Sequence, residues 1–128
     1  MFLLLFLLFG INLINNRTNT APKAYTPIDT TSVGIDNSYL FASPLTAEVG
    51  GEKIRINVYI LNKQGIGLSG KIVSLGQVDN LRIGAIQPTT DFLGKAVFDV
   101  SGFSPGVYLI EASVDGKVLP QRVSVTFK

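Results

Sequence analysis

The 128-residue chain contains no cysteine, no histidine and no tryptophan. Without thiols or imidazoles there are no Ser–His or Cys–His pairs, and no donor set for the usual zinc, copper or iron sites. Disulfides are excluded as well, so the fold must rest on packing and backbone pairing. An excess of one charge is also lacking: 11 Lys and Arg stand against 9 Asp and Glu, a net charge of +2. The basic residues are scattered rather than blocked, which leaves no electrostatic footprint for nucleic acid. Beyond the first fourteen residues, no segment carries the apolar periodicity of a helix.

What is present begins with an uncharged apolar run, MFLLLFLLFGINLI, from Met1 to Ile14. As a helix it would extend about 21 Å, against a hydrocarbon core of about 30 Å. A signal peptide has an apolar stretch of this size, with basic residues before it and small residues at a cleavage site. Nothing basic precedes Phe2, and Pro22 interrupts the candidate cleavage stretch at Asn19–Ala24. Residues 1–14 therefore read as a signal or membrane-anchor segment, with the anchor preferred. Either way the chain is expected outside the cytoplasm, membrane-tethered or secreted, alone or as a fragment of a longer surface protein. Residues 15–34 are rich in Asn, Thr and Pro, and Pro22 and Pro27 spoil both helix and interior strand. They read as a linker. Asn16-Arg17-Thr18 within it matches a glycosylation sequon, a triplet that also arises often by chance.

From Ile35 onward the pattern has period two. In Lys53–Leu61, Ile54, Ile56, Val58 and Ile60 alternate with Lys53, Arg55, Asn57 and Tyr59, the signature of a strand with one face on a core. Strands are likewise expected at Ser38–Ala42, Gly70–Leu75, Leu81–Ile86, Lys95–Val100, Gly106–Val114 and Val118–Lys128. Asp115-Gly116 is a hairpin turn signal before the last of these. Pro120 lacks the donor that an interior strand requires, which assigns it to an edge or a bulge. Seven short strands with turn signals between them predict an all-β, antiparallel sandwich over residues 35–128. A barrel is the alternative arrangement of the same strands.

The order of these residues resembles a bacterial immunoglobulin-like domain of the invasin/intimin group (group 1). Its first half is carried by Ser43-Pro44, Gly50-Gly51, the long strand Ile54–Leu61, the loop Asn62–Gly65 and the pair Ser69-Gly70. The second half is carried by Thr-Thr-Asp-x-x-Gly-Lys-Ala at Thr89–Ala96, by Gly106-x-Tyr108, and by Val123-x-Val125-x-Phe127. Pro44, Gly70, Asp91, Gly94, Gly106, Tyr108 and Gly116 are the expected turn- and fold-defining positions. The resemblance implies an extracellular module that acts as a stalk, spacer, adhesion or protein-interaction unit at the cell surface, without catalysis or cofactor.

The residues themselves offer little chemistry. From Ile35 onward the carboxylates are spread singly, at Asp36, Glu48, Glu52, Asp79, Asp91, Asp99, Glu111 and Asp115, whereas a glycosidase needs two about 5–9.5 Å apart across a cleft. Calcium would need six to eight oxygens, and no short segment concentrates them, although Asp36, Asp91 or Asp115 meeting carbonyls at a sandwich end is one reading. Turn-capping aspartates are the other. Asp91, Gly94 and Lys95 lead into a strand rather than a helix, which excludes a phosphate loop. Tyr59, Val97 and Leu109, on outward strand positions, form a candidate contact patch for a protein partner or sister domain, or are scattered apolar surface. A small carbohydrate-binding module is the alternative function, with Tyr39, Phe41, Phe92 and Phe103 as its aromatics.

Overall fold

A computed structural model describes residues 27–128. The apolar run of residues 1–14 and the start of the linker lie outside the described residues. Ten strand pieces follow: β1 (Tyr39–Ser43), β2 (Thr46–Ala47), β3 (Lys53–Tyr59), β4 (Val73–Leu75), β5 (Leu81–Gln87), β6 (Lys95–Gly102), β7 (Gly106–Ile110), β8 (Ala112–Val114), β9 (Lys117–Val118) and β10 (Val123–Phe127). There is no helix among the described residues.

One sheet has the order β1-β3-β6-β5. The long antiparallel pair β3–β6 sits at its centre, in register from Lys53↔Ser101 to Tyr59↔Lys95. Facing it are two ladders, β2-β10-β7 and β4-β8-β9. They form one layer, because β7 and β8 are a single run interrupted only at Glu111, and the Gly76 N–H continues the ladder by donating to the Glu111 carbonyl over 3.0 Å.

Seven strands emerge once the pieces are joined. The first is β1 plus β2, which changes sheet at Ser43-Pro44, where the peptide bond is cis, and pairs in parallel with β10. The sixth is β7 plus β8, and the seventh is β9 plus β10. The result is an immunoglobulin-like β-sandwich, with the first, second, fifth and fourth strands in one sheet and the others opposite.

Alternation drives this arrangement. Ile54, Ile56 and Val58 from β3 and Ala96, Phe98 and Val100 from β6 are buried between the sheets, where Ile110, Val125 and Phe127 meet them. β-Branched side chains fit this pleated, half-buried surface, which is why the period-two reading holds.

Two expected strands are broken, each for a hydrogen-bonding reason. Gly70–Leu75 is strand only from Val73, because Thr90 takes the preceding backbone: Lys71 N–H donates to Thr90 Oγ1, and Gly70 N–H to the Thr90 carbonyl. The last segment splits around Pro120, which has no N–H to donate, while Leu119 turns inward and donates to the Ala112 carbonyl.

Candidate interaction surface

The outer face of the four-stranded sheet carries its exposed aromatics. Tyr39 and Tyr59 are cross-strand partners whose rings stack at 5.2 Å between centroids, and Phe41 stacks on the same Tyr59 at 6.0 Å. Tyr59 is thus the middle ring of a row of three running over β1 and β3. The faces turned toward each other are occupied, which leaves edges and outer rims for a partner rather than a flat platform.

The expected patch of Tyr59, Val97 and Leu109 is not one surface. Val97 points outward from β6 but is only 8 % exposed. It lies on a central strand between Asn57 and Gln87, whose longer side chains flank it on both neighbouring strands. Leu109 is exposed but belongs to β7, in the opposite sheet. Only Tyr59 remains, and its neighbours are Tyr39 and Phe41. The register that brings these three together pairs residues twenty positions apart, which no local pattern reports.

The glycan aromatics are likewise dispersed. Phe92, 81 % exposed, lies in the Asp91–Gly94 turn, which packs against Gly67. Phe103 donates its N–H to the Asn80 carbonyl at the other end of the sandwich. They do not share a platform.

The turn positions show why those residue types stand there. Asp91 Oδ1 accepts from the N–H groups of Leu93, at 2.9 Å, and Lys95, at 3.0 Å. The Lys95 N–H, foremost among several donors, holds the Asp91 carboxyl below its ordinary range. Gly94 has φ +81° and closes this turn by donating to the Asp91 carbonyl. Asp115 and Gly116 both have positive φ, as a two-residue hairpin of the type I′ kind requires. Gly70 has φ +76° just before the Thr90-bound segment, and Gly106 opens β7 opposite Phe127. Tyr108 donates its hydroxyl back to the Ser104 carbonyl and packs edge-on against Phe127, a tyrosine corner of the kind known in these sandwiches.

Sequence reading missed three buried polar side chains, all fully bonded and all at one end. Ser38 Oγ accepts from Leu61 N–H and donates to the Gly34 carbonyl. Asn62 Oδ1 accepts from the N–H groups of Gln64 and Ile66, while its amide donates to the Asp29 carbonyl. Thr90 Oγ1 joins Lys71 N–H to the Leu68 carbonyl. The Asn-x-x-Gly spacing of Asn62–Gly65 was the available signal for one of them. Asp29 belongs to the same end. Its carboxylate accepts from Thr31 and Ser32 N–H groups, which lower its pKa to about 2.

Three further carboxylates are held in ion pairs. Asp99 is held two-pronged by Arg55 at 3.1 and 3.3 Å, Asp115 by Lys71, and Glu111 by Arg122. No group of three or more potential metal ligands occurs among the described residues. Asp36, Asp91 and Asp115 belong to three different turns, and the bonding of Asp91 is that of a turn cap.

Sheet order, tyrosine corner and turn chemistry together define an immunoglobulin-like domain. Within that class the fold is that of the bacterial invasin/intimin type. No protein-family model and no curated protein matches the sequence. Among solved structures, InvD of Yersinia pseudotuberculosis superposes with a TM-score of 0.69 at 14 % identity, over 79 % of this chain and 31 % of that one. Invasin, described as a bacterial integrin-binding protein, gives 0.67 at 21 % identity over 75 % of this chain and 20 % of its own. The D0-D1 domains of intimin give 0.60 at 23 % identity, over 78 % of this chain and 50 % of the other. The chain therefore spans between a fifth and a half of these solved structures.

Proposed function

We propose that this chain is a non-catalytic module held outside the cytoplasm by its apolar amino-terminal segment, where it acts as a spacer and protein-contact domain at the cell surface. The observation that carries this reading is the position of the two ends of the sandwich. The backbone joins the fold over Asp29–Gly34, where the Asp29 carbonyl accepts from Asn62 and the Gly34 N–H donates to the Leu61 carbonyl just beyond β3. It finishes the last strand at Phe127, and Lys128 is bonded to Ala47 and Val49, just before β3 begins. The seven residues of β3 separate these poles by about 20 Å. Chain direction thus runs along the long axis, and the Gly34 pole is pinned by Ser38, Asn62 and Thr90. A domain joined at opposite ends adds its length to whatever it is linked to, which suits a spacer. The fold shared with invasin and intimin supports the same reading, as does the scattering of charge, which offers nothing to nucleic acid.

Contact with a protein partner, or with a sister domain, is assigned to the aromatic row of Tyr39, Phe41 and Tyr59. The full chain, given a carboxy-terminal epitope and expressed in a bacterial host, is expected in the membrane fraction and accessible to antibody on intact cells. Recovery in the soluble cytoplasmic fraction would overturn the tether and the location together.

A further inference from the structure

We propose that the outer face of the four-stranded sheet carries a second feature, an anion cradle built on Lys53, Ser101 and Arg82 that takes a sulfate or phosphate ester. The β3–β6 register sets Lys53 opposite Ser101, and the β5–β6 register sets Arg82 opposite the same Ser101. Directly opposed residues of antiparallel strands share a face, so the two cations flank one hydroxyl at about two strand spacings, roughly 10 Å between backbones. Both side chains are long enough to converge over Ser101. They line a depression of about 420 Å³ together with Gly51, Gly84, Ile86, Asp99 and Ser101.

Charge favours an anion. The ion pairs among the described residues join Arg55 to Asp99, Lys71 to Asp115 and Arg122 to Glu111, and none uses Lys53 or Arg82. Residues 1–26 contain no carboxylate side chain that could supply a partner. Asp99 lies in the depression, but both of its oxygens are committed to Arg55. An oxyanion with three or four oxygens can accept from the Lys53 ammonium, the Arg82 guanidinium and the Ser101 hydroxyl at once.

Gly84 makes the space, and the fold does not require it. It sits opposite Asp99 inside β5, its φ is not in the left-handed region, and an added Cβ would meet only the Asp99 carbonyl oxygen at an ordinary 3.6 Å. A glycine inside a strand weakens that strand, and where no backbone constraint demands it, it marks a place of close approach. The irregularity between Ala85 and Gln87 kinks this edge strand, which disfavours an added peptide strand and leaves the face as the approach route. The cradle does not depend on how the chain is held at the surface.

The test is amide chemical-shift titration of the full chain in dodecyl maltoside at low ionic strength, with glucose 6-sulfate, glucose 6-phosphate and glucose. The esters are expected to shift the amides of Gly51, Gly84 and Ser101 saturably and glucose to leave them in place; the tighter ester identifies the natural group. Lys53→Ala and Arg82→Ala are each expected to weaken binding about three- to tenfold, and added salt to weaken it further. Gly84→Val is expected to abolish binding with the melting temperature unchanged or raised. No saturable shift with either ester overturns the proposal. So does binding that survives Lys53→Ala and Arg82→Ala together.

Discussion

The N–H of Ile60 donates to the Gly94 carbonyl over 2.8 Å, while the Ile60 carbonyl oxygen occupies the place where a side chain on residue 94 would project. Gly94 is therefore required twice, by its φ of +81° and by the strand end packed upon it. Gly116, at φ +74°, has open space where its Cβ would go and is required only once. Gly94→Ala is expected to destabilise the domain by about 3 kcal/mol or more, and Gly116→Ala by about 1 kcal/mol. Denaturant midpoints at a common m value measure the difference, and equal costs would refute the double constraint.

Thr90 is 4 % exposed, and its hydroxyl holds both Lys71 N–H and the Leu68 carbonyl. Valine keeps its shape but removes both bonds, so Thr90→Val is expected to cost about 1–3 kcal/mol. The adjacent, exposed Thr89→Val should stay within about 0.5 kcal/mol of the parent. If both variants melt together, the tie between Leu68 and Lys71 contributes nothing to stability.

Acid should loosen the turns at the Gly34 pole. Asp91 and Asp29 both titrate below the ordinary aspartate range in the folded chain, Asp29 at about 2. The unfolded chain, with a pKa near 3.9, therefore binds these protons first. Their contribution to stability is complete above about pH 5, and is lost as pH falls through the unfolded value toward the folded one. Asp91→Asn is expected to lower the melting temperature at pH 7 and to converge on the parent as pH falls below the ordinary aspartate range. A difference independent of pH would show that the charge at Asp91 is irrelevant to its capping role.

The aromatic row predicts where association is lost. Tyr59→Ala removes two stacked pairs and should cost about 1–2 kcal/mol of stability. Tyr39→Ser and Phe41→Ser, at the exposed rims, should change stability less and weaken self- or partner association more. Leu109→Ser, on the opposite sheet, serves as the control. Sedimentation of the full chain in detergent at high concentration reads the outcome, and an identical profile for parent and rim variants would remove the row as an interface.

Much of this was legible in the sequence. Alternation in Lys53–Leu61 and Lys95–Val100 determined strand type and inward face, because a two-residue period has one solution once one face is buried. Asp91, Gly94 and Asp115-Gly116 announced their turns, since those conformations depend on residues within a few positions of one another. Chain pairing was another matter. Which outward residues became neighbours depended on the registers β1–β3, β3–β6 and β5–β6, set by the packing of the opposite face. Hence Val97 came to lie covered between Asn57 and Gln87, Leu109 fell on the far sheet, and Tyr39 and Phe41 gathered around Tyr59. The same long-range registers aligned Lys53, Ser101 and Arg82. Local composition determined the strands and their punctuation; only the closing of the two sheets decided the surface, because cross-strand proximity is a property of register and is not encoded in any short stretch of chain.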